Sequence, residues 1–322
     1  MKNILITGSG GYLGARLSKY LAENGNNITA FIKRDVPKNN EWSNLMNDII
    51  VGDIRDEKAV ASLTKRNFDI VAHLISLDHH KCEDTPNYIS SVNVMPTWNL
   101  LDTFTKRGLD KFILFSTFEV LGKVPLKEID ESVKPKPVNN YGLTHLLSEN
   151  IVNYFNNKTG TNCINIRITN GYGTPVFKEN NCWWLVINDL CKLAHSKQKI
   201  QLTSDGSPQR DFIHISDICS AVEILINSKI DFKDNMIYVA SGETLNILEL
   251  AHIIKRVYIE RYQREIDIYL PDKSVSNDPN TFMEMDKFYV NTKKLRNLGF
   301  KPKTELRNGI NNIFTYLRSE II

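Results

Sequence analysis

"TGSGGYLG", residues 7 to 14, decides how the rest of the chain is read. It follows the apolar run "NILIT" (3 to 7) directly and opens a segment of helical spacing (11 to 24), so Gly8, Gly11 and Gly14 stand at a G-x-x-G-x-x-G spacing in a strand-to-helix bend. Glycines there let the backbone turn tightly and approach a ligand, while the first helical turn offers unpaired N–H groups and a partial positive charge. That combination suits the pyrophosphate of a dinucleotide. A plain tight turn would use the same glycines, so the surroundings have to decide.

The surroundings are strands and helices in alternation. After "NILIT" come "ITAFI" (28 to 32), "DIIVG" (48 to 52), a helical stretch (56 to 66), "FDIVAHLI" (68 to 75), a helical stretch to about 107, "KFILFS" (111 to 116), a helix from Tyr141, and "NCINIRIT" (162 to 169). Such a series predicts an α/β fold, a Rossmann-type doubly wound parallel sheet. Beyond Asn170 the alternation loosens and aromatic, Asn and Pro residues accumulate. The expected division is a dinucleotide-binding domain over 1–170, to which 211–227 returns, and a smaller mixed α/β substrate domain over 171–322 that closes on the strand ends. "VKPKP" (133 to 137) reads as a surface loop.

Composition narrows the classes. The 322 residues are 42% hydrophobic, enough for a real core, and 40 Lys plus Arg against 37 Asp plus Glu leave a net charge of +3. No basic block or interleaved aromatic stripe suggests nucleic acid as a partner. Five scattered cysteines without a Cys-x-x-Cys pair argue against a disulfide framework and against zinc, and fit a reducing cytoplasm. No apolar run reaches membrane-spanning length, and the N-terminus enters a strand pattern at once, so the expectation is a soluble, unprocessed cytoplasmic protein.

The end of the second strand bears on the choice of dinucleotide. An acidic residue there would bond the ribose hydroxyls of NAD, but Ile32 takes the place, followed by Lys33 and Arg34. Two cations suit a 2′-phosphate, which favours NADP(H), with NAD(H) possible if they form a solvated turn and Asp35 acts late. Asp53, before Ile54 in "VGDIRD", is placed to accept from the adenine amine or to cap a turn.

These residues, with "AHLIS" (72 to 76), "NVMPTWNLL" (93 to 101), "FSTFEVLG" (115 to 122), "YGLTH" (141 to 145), "IRITNGYG" (166 to 173) and "QRDFIHISD" (209 to 217), resemble the extended short-chain dehydrogenase/reductase family. Its members are NAD(P)-dependent nucleotide-sugar epimerases, dehydratases, decarboxylases and ketoreductases. The resemblance runs over nearly the whole chain. It implies a dinucleotide held by Gly8, Gly11, Tyr12, Leu13 and Gly14, by Lys33, Arg34, Asp53 and Ile54, by Leu74, Ile75 and Ser76, and by Asn93, Ser116, Tyr141 and His145. It implies that Tyr141 exchanges a proton with a sugar hydroxyl while Thr117 hydrogen-bonds the same oxygen. Asn170 and Arg210 would meet the substrate diphosphate, and the "LDHH" segment places Asp78 and His79 near the sugar. Metal is not expected, because two neighbouring histidines lack a third ligand. Many relatives dimerise through two helices per subunit, so a homodimer is implied by analogy.

Three departures matter. His145 stands where the family has lysine; an unperturbed imidazole, pKa about 6.5, is a weaker and pH-dependent cation beside a phenol of pKa about 10. Glu119, two residues after Thr117, matches the glutamate of 4,6-dehydratases and decarboxylases, whereas Phe118 departs from their pattern. An arginine common in a later "RPG" is missing from "SNDPNTF" (276 to 282), which offers Asp278; Lys273 or Lys287 would have to compensate. Hence 4-epimerisation or 4-keto reduction leads, a dehydratase or decarboxylase using Glu119 comes next, and a dinucleotide-binding regulatory protein with impaired turnover is the alternative from another class.

Overall fold

The computed structural model describes residues 1–34, 40–123, 127–229, 235–271 and 287–319. Asp35, Lys273 and Asp278 lie outside these. Seven strands form one parallel sheet: β1 (Asn3–Thr7), β2 (Asn27–Ile32), β3 (Asp48–Val51), β4 (Ile70–His73), β5 (Lys111–Thr117), β6 (Asn162–Ile168) and β7 (Met236–Val239). Their order is β7-β6-β5-β4-β1-β2-β3, so the chain leaves β1 toward β2 and later returns to the other side of β1 as β4. Thr7 is in register with Phe31 on one side and His73 on the other. The carboxyl ends on either side of β1 therefore part and open a crevice, where such sheets bind ligands.

The strands read as unbroken apolar runs because both faces of the sheet are covered. In β1, Ile4 and Ile6 face the helices Tyr12–Glu23 and Ile215–Asn227 through Leu17, Leu21, Val222 and Leu225, while Leu5 faces the opposite way, onto Leu100, Phe104 and Val152. Each such fully buried side chain contributes about 1.5–3 kcal/mol. The long helical stretch before residue 107 is two helices, Pro86–Asn93 and Met95–Thr105. Pro96 has no N–H for the carbonyl of Val92, so the first helix stops and a second starts after Val94.

A second core, around Leu190, Ile254, Ile313 and Phe314, lies between the helices Val186–Lys197, Ile247–Tyr262 and Leu306–Ser319. Beside it, Gln209–His214 pairs in parallel with Asn170–Tyr172 and antiparallel with Thr244–Asn246. Two segments of the 171–322 region belong to the large sheet's layers. Helix Ile215–Asn227 packs on it, and β7 pairs with β6, Ile237 in register with Ile166. Among the described residues no helix is long and apolar enough to cross a membrane.

Candidate functional site

The glycine bend sits at the crevice. Gly8 has φ +85° and donates its N–H to Phe31 O at 2.9 Å, and Gly11 closes the turn on Gly8 O. A methyl group on Gly14 would lie 2.1 Å from that same carbonyl oxygen, so helix and bend touch at a distance only glycine allows. Gly11 caps the helix without a side-chain hydrogen bond, which leaves the first-turn N–H groups facing a cleft of about 330 Å³. Tyr12, Leu13, Leu74, Ser76, Tyr141 and His145 also line this cleft, and its far wall comes from the segment 171–185. That segment is tied across the bend: Tyr12 donates to Gly173 O (2.9 Å), Arg16 to Thr174 O (2.8 Å) and Asn180 to Gly10 O (2.8 Å). The bend, the open N–H groups and the cleft fit a bound dinucleotide.

Several residues assigned to the dinucleotide from sequence have other partners. Both Asp53 oxygens are held by the Arg55 guanidinium, at 3.0 and 2.6 Å, and Lys33 adds a contact at 3.2 Å; Arg55 first, then Lys33, keeps this carboxylate well below its usual range. Asp53 is thus already saturated, and the next helix is capped by Asp56. Ile54 is buried against Phe31 and Val60, and Ile75 packs on that core and against Gly8. Asn93 accepts from Leu77 N–H at 2.8 Å and donates to Thr144, bracing the loop after β4 against the Tyr141 helix. Ser116 donates to Glu149 at 2.5 Å, and Glu149 forms a buried bidentate pair with Arg167 at 2.9 and 2.7 Å. Of the two cations behind the expectation of NADP(H), Lys33 leans on Asp53, and only Arg34 is without a carboxylate partner among the described residues.

Tyr141 lies in the first turn of helix Asn140–Lys158, whose N-cap Asn139 accepts from Gly142 N–H at 2.7 Å. Gly142 lets the helix start pack onto the Glu119 carbonyl, where a methyl group would come within 2.6 Å. This brings the phenol to Thr117 at the end of β5, near enough for the Thr117 hydroxyl to favour its ionisation. Burial pushes the phenol pKa well above its ordinary value; the Cys82 thiol, Glu119 and Asp78 add to the rise, and the Thr117 hydroxyl opposes it. His145 lies one turn on, its ring centroid 4.5 Å from that of Tyr141 and its Nε2 3.5 Å from Ser76 Oγ. Burial pulls its pKa down to about 4. The imidazole is therefore neutral at pH 7, and the partial positive charge expected from an unperturbed histidine is absent.

A second cavity of about 380 Å³ opens beyond Thr117, sharing Thr117, Ile168 and Thr169 with the first. Asn170 and Arg210 line it, as does Lys123, which the sequence did not single out although it directly follows "FSTFEVLG". Asn170 also donates to Asp211 O at 2.9 Å. Glu119 lines this outer cavity and accepts from the Asn139 amide at 3.1 Å. Lys287 is bonded to both Glu249 oxygens at 2.6 and 2.8 Å, so it does not replace the missing arginine. Asp78 borders the inner cleft but is held by Lys81 at 2.6 Å. His79 is exposed and lies edge-on to Tyr141, with ring centroids 6.1 Å apart. Trp184, Asn181 and Cys182 in the far wall were not legible beforehand, because nothing local marks them as facing the bend.

Sheet order, glycine bend and the Thr117–Tyr141 pair define a dinucleotide-binding α/β protein of the short-chain dehydrogenase/reductase type. The pattern of the NAD dependent epimerase/dehydratase family matches residues 4–241, and the chain belongs to that family and is an enzyme of that kind. It is 24% identical to a putative UDP-glucose 4-epimerase of Methanocaldococcus jannaschii, covering 98% of each chain. It is 26% identical to a mouse dTDP-D-glucose 4,6-dehydratase, over 98% of this chain and 89% of that one. The solved UDP-glucuronic acid 4-epimerase of Bacillus cereus, bound to UDP-glucuronic acid and NAD, shares the fold with a TM-score of 0.79 at 20% identity, over 99% of both chains.

Proposed function

We propose that the protein is a nucleotide-sugar 4-epimerase that works through a 4-keto sugar. The observation that carries this reading is the Thr117–Tyr141 pair at the junction of the two cavities, one shaped for a dinucleotide and the other bearing Arg210 and Lys123 for a diphosphate. A bound nicotinamide supplies the hydride acceptor and donor. Tyr141, as its phenolate, would take the proton of the C4 hydroxyl during oxidation to the ketone and return it to the same oxygen when the ketone is reduced on its other face. Thr117 would hold the same oxygen, and neutral His145 would hold the nicotinamide ribose. The ties from segment 173–180 to the bend suit a cofactor that stays bound through turnover, as an epimerase requires and a reductase does not.

The test is incubation with UDP-glucose and dTDP-glucose, followed by proton NMR of H4. Appearance of the axial-hydroxyl epimer supports the proposal; no change at C4 in either sugar refutes it. Glu119 favours one second reading, 4,6-dehydration, since its carboxylate lies close enough to raise the phenol pKa. A product absorbing near the enone region after alkali treatment, with loss of the C6 oxygen, would establish that instead. A regulatory protein without turnover would bind dinucleotide and leave every sugar unchanged.

We propose NAD(H) as the cofactor, since Lys33 is already drawn to Asp53; a smaller dissociation constant for NADP than for NAD would overturn this. We further propose a cytoplasmic homodimer. Met95, Trp98, Leu143, Leu147 and Tyr154 stand exposed on two adjoining helices, and Trp98 and Tyr154 lie 6.4 Å apart. Light scattering should give twice 36.9 kDa, and Leu147→Glu should give the monomer.

A further inference from the structure

A chain of aromatic rings joins the two walls of the inner cleft at its mouth. His79 and His80, both exposed, lie in the short 3-10 helix His79–Glu83 after β4. The His79 ring stands edge-on to Tyr141 and to His80, with centroids 6.1 and 5.9 Å apart, and His80 meets Trp184 at 6.0 Å and 83°. Trp184 lines the cleft from the far wall and is 44% exposed. Such separations and angles are those of attractive edge-to-face pairs.

The far-wall segment is held differently at its two ends. Toward the glycine bend it is bolted down. Besides the ties of Gly173, Thr174 and Asn180, Phe177 stands edge-on to the buried Trp42 at 5.2 Å, and Val176 and Phe177 pack on Ile32 at the end of β2. Toward the phenol, what spans the mouth is the contact of His80 with Trp184, two exposed rings. The Trp184 indole N–H is engaged by Asn181 O at 3.0 Å, inside the segment, so it does not bind the walls together. An exposed ring pair opens more readily than three hydrogen bonds and a buried aromatic pair.

We propose that the His80–Trp184 contact is a latch over the reacting end of the cleft. It opens to pass the sugar and, closed, retains the 4-keto sugar between its oxidation and its reduction, while the bolted end keeps the dinucleotide in place. This rests on the 4-epimerase reading and makes His80 and Trp184 positioning residues within it. An epimerase has to let its ketone turn without losing it. A ketone that escapes leaves its two electrons on the dinucleotide and the hydroxyl proton on Tyr141, and the enzyme stalls. Trp184, its N–H already engaged, offers the turning sugar a surface instead of a hydrogen bond that fixes one orientation.

The test uses dinucleotide-saturated protein carrying Tyr141→Phe, which keeps a ring beside His79 and removes the proton acceptor. Loss of radiolabelled UDP-glucose is followed after dilution into excess unlabelled UDP-glucose. His80→Ala and Trp184→Ala should each speed that loss about 2- to 10-fold, the strength of one aromatic pair, and leave dinucleotide dissociation unchanged. Both substitutions together should speed it no more than either alone, because they remove the same contact. Asn180→Ala should do the reverse, hastening dinucleotide loss and leaving sugar loss as it was. With Tyr141 intact, His80→Ala should release free 4-keto sugar, and the absorbance of reduced nicotinamide should build up during turnover. Native rates of sugar loss in both single variants, factors that multiply in the double variant, or faster dinucleotide loss in any of the three would overturn the latch and leave the 4-epimerase reading standing. If UDP-glucose binds neither the native nor the Tyr141→Phe protein, both proposals fall.

Discussion

Replacing His145 by lysine tests the chemistry of the site most directly. In the native protein the phenol of Tyr141 is held neutral by burial, and the neighbouring imidazole, with its pKa drawn down to about 4, brings no positive charge above pH 5. The phenolate that accepts the sugar proton is then scarce at pH 7, and its fraction rises tenfold per pH unit until the phenol titrates. Turnover should climb accordingly between pH 7 and 10. A lysine ammonium would sit near the phenol oxygen, since the two rings are 4.5 Å apart at their centroids. At about 5 Å and an effective dielectric of about 20, the attraction is about 3 kcal/mol. That lowers the phenol pKa by about two units. The assay is single-turnover reduction of the bound dinucleotide, followed at the nicotinamide absorbance after mixing with UDP-glucose from pH 6 to 10. The rising limb of His145→Lys should move about two units to lower pH, giving a rate about 100-fold higher at pH 7. Superimposed profiles would refute the account of a charge-poor active site. A native rate independent of pH would refute it equally.

Other expectations follow from the packing. In Gly14→Ala the methyl group would lie 2.1 Å from Gly8 O and 2.7 Å from its carbon, so bend and helix must part; a cost of about 1–3 kcal/mol and loss of dinucleotide affinity should appear together in thermal melts and titration. Unchanged affinity would show that the bend does not hold the cofactor. His73, His145 and His214 are all buried, with pKa values pulled down by burial to about 3, 4 and 4. Since the unfolded imidazoles take protons from about pH 6.5 downward and the folded ones do not, stability is complete above that pH and is lost as pH falls toward 4, by about 2 kcal/mol per histidine at pH 5. Urea midpoints at pH 7.5 and 5 that coincide would contradict this. Glu149→Ala strands the buried Arg167 guanidinium and should cost about 3–5 kcal/mol, whereas Glu149→Met combined with Arg167→Met should recover most of it; equal losses in single and double variants would deny the pairing.

The large sheet and the bend could be read from residues alone because both depend on short-range physics. A strand covered on both faces, like Asn3–Thr7, must be apolar at successive positions, and a bend with φ +85° at Gly8 and a near-contact at Gly14 tolerates no side chain. The helix that carries Tyr141 and His145 on one face is equally local, since residues four apart share a side. The break at Pro96 is local too, but continuous apolar spacing across it hid the division into two helices.

Pairing across long separations was not legible. Lys33 and Asp53 come from the ends of neighbouring strands, and the bond between them, which takes one cation from the 2′-phosphate reading, exists only because β2 and β3 lie side by side. Lys123 and Arg210 are 87 positions apart by their numbers and meet across one cavity. The charge state of His145 belongs to the same class. Sequence names the imidazole and so limits it to a group that can be neutral or positive, but the choice between them is made by how much protein replaces water around the ring, and that depends on every segment folded against it.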